Sequence, residues 1–166
     1  MKPKKLALLS LLTAIALTIF MVEAQIPLPV PVPGVKLGLS NIVTTCAVFA
    51  LGPGSAAAIL TVRVILGAVF SGQLMSLLYS ASGGALGLLV SILLRKLLTR
   101  KQIWVAGVLS AMAHNVGQIL AAILVTRTPE LMVYLPVMLC CGILAGLFTG
   151  LAAQALINHL HRLFQT

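Results

Sequence analysis

The chain has 166 residues, of which 60% are hydrophobic and 8% charged, with 11 Lys and Arg against two acidic residues. Soluble domains carry about a quarter charged residues, so this deficit is typical of a protein embedded in a bilayer, where an unpaired charge is costly. Glu23 and Glu130 are the only carboxylates and Asp is absent, which excludes Asp-rich diphosphate–magnesium sites, carboxylate dyads and Ser-His-Asp triads. The composition predicts an all-α integral membrane protein that catalyses no reaction on its own.

Six apolar runs predict a single transmembrane domain over residues 1–166, built as a six-helix bundle. A helix needs about 20 residues to cross a hydrocarbon core of about 30 Å, and four of the runs are long enough. The second and third are short and are separated by the turn signal Gly52-Pro53-Gly54, so they form either two short helices or one hairpin that dips into the membrane. The predicted spans are about 6–24, 38–52, 55–71, 73–94, 103–125 and 132–157.

Basic residues set the predicted orientation. They cluster at the N-terminus, in the 95–101 loop and in the C-terminal tail, whereas the opposite side carries Lys36 and Arg127. By the positive-inside rule both termini of this multi-pass protein lie in the cytoplasm. Because these residues lie at the ends of apolar runs rather than on a solvated face with aromatics, membrane lipid is an expected partner and nucleic acid is not.

The first run has two interpretations. Its lysines, its apolar stretch and the residues around Glu23 imitate a signal peptide with a cleavage site. The run is also long enough to span the membrane, and Ser10 and Ala14 give it a small-xxx-small face suited to packing against another helix. Gly and Ala at four-residue spacing in the last three runs favour close packing within the bundle over a homodimer face.

The segment from Ile26 to Asn41 connects the first two runs. Alternating prolines at 27, 29, 31 and 33 predict an extended backbone that lies on the outer surface or folds over the mouth of the bundle. Lys36 follows and lies just before a predicted helix N-terminus, an arrangement that favours an anion. A stiff connector with a snorkelling lysine is the alternative.

The remaining polar side chains converge on one outward-facing level of the predicted bundle. Arg63 and His114 fall near the middle of the third and fifth runs, and Gln118 lies one helical turn beyond His114 on the same face. An apolar pocket with a few oriented polar groups is what a small-molecule site requires. The candidate ligand-binding residues are Glu23, Lys36, Asn41, Arg63, Tyr79, His114, Asn115 and Gln118.

Two of these residues have structural alternatives. Arg63 needs a partner or a water-filled cavity at this depth, so it either contacts a ligand or forms an ion pair with Glu23. His114 is either a ligand contact or a packed core histidine. No metal site and no cofactor is expected, because the three cysteines lack metal-ligand spacing and the other histidines lie in the tail.

Three stretches of sequence carry a resemblance to a known family. They are PVPGVKLGLSNIV at 31–43, LGPGSAA at 51–57 and AHNVGQ at 113–118. On these stretches the chain resembles, over about residues 6–157, the Gx transporter family, often labelled heptaprenyl diphosphate synthase component I. Its layout is similar to that of the substrate-binding subunits of energy-coupling-factor transporters. Those are six-helix bundles with an external pocket, and small residues on their first helix contact a shared membrane subunit, a role that the resemblance gives to Ser10 and Ala14.

The resemblance implies a non-enzymatic subunit that captures a small anionic or vitamin-like ligand from outside. Import would be driven by partner ATPases through a coupling membrane subunit, since the chain has no GxxxxGK[ST] phosphate loop. One alternative is a non-catalytic membrane component of heptaprenyl diphosphate or quinone metabolism, because synthases of the known catalytic class need Asp-rich motifs. The other is a membrane anchor of a flavin or redox complex.

Overall fold

The computed structural model describes residues 3–26 and 35–163, and the regular secondary structure within these ranges is entirely helical. This confirms the predicted all-α class. The predicted extended backbone at prolines 27, 29, 31 and 33 lies outside the described residues. The elements are α1 (Pro3–Glu23), α2 (Asn41–Ala50), α3 (Pro53–Ser71), α4 (Leu74–Leu97), α5 (Ile103–Thr126) and α6 (Leu135–Leu163), with short 3₁₀ helices at Arg100–Gln102 and Pro129–Tyr134.

Among residues 3–26 and 35–163, five stretches are long and apolar enough to cross a bilayer, which makes the chain a multi-pass membrane protein. They are α1, α3, α4, α5 and Pro129–His159, and each corresponds to a predicted run. The prediction that the third helix is short was wrong. It has 19 residues, a length of about 28 Å, because it begins at Pro53, and proline fits the first position of a helix.

The second helix is short, as predicted, but it begins at Asn41 instead of residue 38. Its 10 residues span about 15 Å, roughly half of a hydrocarbon core. Most of its side chains are buried, and it contacts all five other α-helices. It therefore occupies the centre of the bundle, and the segment 35–40 leads into its buried N-terminus.

Close backbone contacts join α4, α5 and α6. A Cβ at Gly107 would collide with the backbone of Gly146 and Gly150 on α6. A Cβ at Gly87 on α4 would lie 3.0 Å from the backbone oxygen of Ser110 on α5. The four-residue glycine spacing thus serves packing inside the bundle, where small residues let backbones approach closely.

Helix α3 is packed less tightly than these three helices. An apolar groove of about 490 Å³ separates part of it from α4, and another of about 500 Å³ separates part of it from α1. Ser10 and Ala14 are exposed and line the second groove.

The turn between α2 and α3 lies beside the end of α4. Gly52 has a φ of +96°, which favours glycine, and a Cβ there would lie 3.4 Å from Nη1 of Arg95. A cavity of about 360 Å³ joins this turn to Lys5 near the start of α1. The start of α1, the α2–α3 turn and the end of α4 are therefore at the same end of the bundle.

Candidate functional site

The N-terminus of α2 is where buried polar side chains meet. Gly38 has a φ of +84°, and backbone N–H groups of Asn41 and Ile42 donate to the carbonyl oxygens of Gly38 and Leu39 at 2.9 and 3.1 Å. A Cβ on Gly38 would lie 2.9 Å from both Asn41 Nδ2 and His114 Cδ2. Two features favour glycine at position 38. Its φ is positive, and the side chain of His114 on α5 leaves too little room for a Cβ.

The carboxylate of Glu23 is held by backbone N–H groups of this segment. Gly38 N–H donates to Oε1, and Ser40 N–H donates to Oε2 at 3.4 Å. Glu23 is the last residue of α1 and is buried, so the bonds replace the water that a carboxylate would otherwise bind. The positive end of the α2 dipole favours the same charge.

Arg63 reaches the same segment from α3. It is 1% exposed, and its Nη1 donates to the hydroxyl of Ser40. Ser40 thus lies between Arg63 and Glu23, accepting from the guanidinium through its hydroxyl and donating to the carboxylate through its backbone. Arg63 and Glu23 do not form the direct ion pair that was the predicted alternative, since each bonds to Ser40 instead. Arg63 Nε and Nη2 have no hydrogen-bond partner within the described ranges.

Lys36 adds a second cation to this arrangement. Its backbone N–H donates to Gln118 Oε1 at 2.8 Å, and its ammonium lies 3.2 Å from the centroid of the Phe20 ring, a cation–π contact. Burial lowers the pKa of the Lys36 ammonium to about 8, with a smaller contribution from Arg63, while Glu23 raises it. Glu23, Lys36, Ser71 and nearby residues line a cavity of about 160 Å³.

Gln118 and His114 complete the site from α5. Because Gln118 Oε1 accepts from Lys36, its Nε2 is oriented to donate, and its partner is His114 Nε2. In this network the imidazole accepts through Nε2 and carries its proton on Nδ1, which makes it neutral. Both side chains are buried.

We call this group the polar cluster. Its members are Glu23, Lys36, Ser40, Asn41, Arg63, His114 and Gln118. Several of its buried atoms have no hydrogen-bond partner within residues 3–26 and 35–163, and most of these atoms are donors. The atoms are Lys36 Nζ, Asn41 Nδ2, Arg63 Nε, Arg63 Nη2 and His114 Nδ1.

Two of the eight candidate ligand-binding residues lie away from the cluster. The Asn115 amide donates to the Met138 carbonyl at 2.6 Å, which ties α5 to the start of α6. Tyr79 is buried in an apolar group with Val35 and Ile119. The other six candidates lie in the cluster.

Sequence reasoning missed Ser40 and Phe20. Ser40 directly precedes α2 and carries the bridge between Glu23 and Arg63. The Phe20 ring lies 5.6 Å from Arg63 Cζ as well as against Lys36. Two sequence signals point to these residues. Ser40 directly precedes a helix, and Phe20 lies one helical turn before Glu23.

One comparison with known proteins gave a match. The family model described as heptaprenyl diphosphate synthase component I matches residues 12–156, a range that includes the whole polar cluster. This confirms the resemblance carried by the three sequence stretches. Neither the comparison with curated proteins nor that with solved structures gave a match.

Proposed function

The chain belongs to the heptaprenyl diphosphate synthase component I family, and we propose that it is a membrane-embedded, non-catalytic subunit that binds a small anionic or acceptor-rich ligand from the extracytoplasmic side. The surplus of buried donors in the polar cluster carries this proposal. Lys36 Nζ, Asn41 Nδ2 and two nitrogens of Arg63 lack an acceptor within the described ranges. Each buried donor left unpaired costs roughly 1–3 kcal/mol, and more when it is charged. A ligand that brings acceptors would remove this cost.

The small cavity supports access from the outer side. Glu23, which closes α1, lines it together with Lys36 and with Ser71 at the end of α3. Arg63 lies eight residues before that end of α3, about 12 Å along the axis. A ligand group that enters through this cavity therefore has a short path to the buried donors.

The topology that we propose has six crossings and both termini in the cytoplasm of a bacterial cell membrane. The α2–α3 turn lies at the same end as the start of α1 and the end of α4, and Lys5 and Arg95 at that end favour the cytoplasmic side. Residues 38–40 followed by α2 make the second crossing, and Lys36 lies just outside it. This arrangement turns the polar cluster toward the outside.

We further propose that a coupling membrane subunit and partner ATPases drive import. The exposed groove between α1 and α3, with Ser10 and Ala14 on its wall, is the surface on which the coupling subunit would pack. Its lining is almost wholly apolar, and the small side chains allow close approach of another helix. Energy must come from a partner, because the chain carries no phosphate-binding loop.

A second candidate function is a non-catalytic membrane component of prenyl diphosphate metabolism. The observation that favours it is the description of the matching family, which names a synthase component. The catalytic partner would have to supply the magnesium-binding acids, because this chain has no Asp. In this function the partner would be a prenyl diphosphate synthase.

Native mass spectrometry distinguishes the two functions. The protein is purified in mild detergent from its own membranes, as wild type and as Arg63→Met. We expect the wild type to retain a small anionic molecule that the variant lacks. Arg127→Met, at an exposed loop position, is the matched control and should retain it. A co-purifying prenyl diphosphate synthase with no retained ligand would favour the second candidate and contradict the first.

A further inference from the structure

The charges of the polar cluster do not balance. In its ionised form, which the backbone N–H groups of Gly38 and Ser40 favour, Glu23 contributes one negative charge against two positive charges from Lys36 and Arg63. His114 adds none, because its Nε2 accepts from Gln118. Residues 27–34, outside the described ranges, contain no ionisable side chain in their sequence PLPVPVPG. The cluster therefore buries a net charge of one positive unit.

A buried net charge selects for the ligand that cancels it. Moving an isolated charge out of water is strongly unfavourable, and a partner of opposite charge offsets that cost. A group with one negative charge would make the cluster neutral. A neutral group would leave one positive charge, and a dianion would leave one negative charge, so both would bind with a buried charge uncompensated.

The free donors of Arg63 also select for shape. Nη1 is used by Ser40, whereas Nε and Nη2 have no partner in the described part of the chain. These two N–H groups point in parallel from one edge of the planar guanidinium. That edge matches the two oxygens of a carboxylate, which it binds through two parallel hydrogen bonds.

A second cation lies against the same aromatic ring as Arg63. The Phe20 ring has Lys36 Nζ 3.2 Å from its centroid and Arg63 Cζ 5.6 Å from it. Lys36 Nζ has no acceptor within the described ranges. Two cations therefore lie beside one aromatic ring, and Asn41 Nδ2, at the N-terminus of α2, is a further donor without an acceptor in the described ranges.

We propose that the ligand of this site presents a single monoanionic carboxylate, held by the Nε–Nη2 edge of Arg63 and by Lys36. This inference rests on the proposed binding function and narrows the ligand class from anions in general to monocarboxylates. Glu23 sets the selectivity by cancelling one of the two positive charges. It holds that position because the backbone N–H groups of Gly38 and Ser40 bind its carboxylate.

Three small probes that differ mainly in charge test the inference. Acetate is a monoanion, methyl phosphate is largely a dianion at pH 7.5 because its second pKa is about 6, and acetamide is neutral. The dissociation constant of each is obtained from the rise in melting temperature of the full-length protein in detergent, at constant sodium chloride. We expect acetate to bind at least about tenfold more tightly than either of the others, given its two charge-assisted hydrogen bonds.

Two variants shift the cluster charge in opposite directions. Glu23→Gln raises it to two positive units, so the preference should move from acetate to methyl phosphate. Lys36→Met lowers it to zero, so acetate should lose its advantage over acetamide. Lys36 donates to Gln118 through its backbone N–H, so this hydrogen bond remains in Lys36→Met. Lys36→Met therefore still tests the inference if Glu23→Gln fails to fold.

The outcomes separate this inference from the proposed function. Methyl phosphate or acetamide binding as tightly as acetate, in a protein that retains a ligand in native mass spectrometry, would refute the charge rule and leave the binding function intact. If Glu23→Gln and Lys36→Met both kept the wild-type preference among the three probes, the charge rule would likewise be refuted and the binding function left intact. No stabilisation by any probe, together with no retained ligand, would overturn both.

Discussion

Replacing Arg63 with methionine should leave the ligand-free protein as stable as the wild type, or more stable. The guanidinium is 1% exposed and makes a single hydrogen bond, to Ser40, among the described residues. Replacing a buried charge by an apolar side chain of similar volume is often neutral or stabilising, by about 1–4 kcal/mol. Glu23 does not depend on Arg63 for its hydrogen bonds, because the backbone of Gly38 and Ser40 supplies them.

The same substitution should abolish ligand binding. Hydrogen bonds to charged groups contribute about 1.5–3 kcal/mol each, and the free edge of Arg63 offers two. Their loss amounts to about 3 kcal/mol or more, which is at least about a hundredfold in the dissociation constant. Arg63→Lys keeps the charge but loses the parallel pair of donors, so it should bind with an intermediate affinity.

The assay compares the free energy of unfolding in detergent, without ligand, with the affinity for acetate. If Arg63 binds the ligand, Arg63→Met should have an unchanged or higher free energy of unfolding and should lose its affinity for acetate. A structural residue predicts the reverse, because breaking a needed buried pair costs about 3–5 kcal/mol. A destabilised Arg63→Met variant that still binds acetate would therefore refute our reasoning. Arg127→Met should change neither quantity.

Three further predictions concern pH, helix packing and assembly. Raising the pH from about 7 to about 9 should weaken acetate binding, because the Lys36 ammonium, with a pKa of about 8, loses its proton. The ligand-free protein should instead gain stability up to about pH 10.5, since the unfolded chain retains a proton that the folded chain releases. Gly107→Ala should lower the free energy of unfolding by about 1–3 kcal/mol or more, because α5 and α6 must separate. Replacing Ser10 and Ala14 with leucine should prevent co-purification of a coupling subunit without changing acetate affinity.

Each of these predictions has a control. Lys36→Met should remove both effects of pH. Gly54→Ala adds a Cβ that meets nothing within 4 Å, so stability should be unchanged or slightly raised, unlike that of Gly107→Ala. Thr18→Leu enlarges an exposed side chain of α1 outside the groove and should leave assembly unaffected. Equal effects of variant and control in any pair would contradict the structural explanation.

The long helices could be predicted from the sequence, because an apolar run of about 20 residues has few other conformations in a membrane. The start of α2 could not. Residues 35–40 read VKLGLS, an apolar pattern that suits a helix, and only the left-handed backbone of Gly38 and its closeness to His114 exclude one. The length of α3 was underestimated because Pro53 and Gly54 were interpreted as part of a turn.

The residues of the polar cluster were predictable where helix geometry fixes their side. His114 and Gln118 are one turn apart and share a face, so both lie in the cluster. Asn115 is rotated about 100° from His114 along the helix and bonds to Met138 on α6. Which neighbour occupies each face of α5 depends on how the helices are arranged, and spacing along one helix carries no information about that.

The grooves on both sides of α3 leave the helix that carries Arg63 open to the surrounding bilayer. Their volumes, about 490 and 500 Å³, lie at the depth of the hydrocarbon chains, so lipid tails must fill them when no partner does. Lateral pressure from those tails therefore acts directly on the helix that carries Arg63, while the glycine contacts hold α4, α5 and α6 together. Under the proposed binding function, chain length and saturation of the surrounding lipids should therefore change ligand affinity, which titrations in bilayers of different acyl composition would measure.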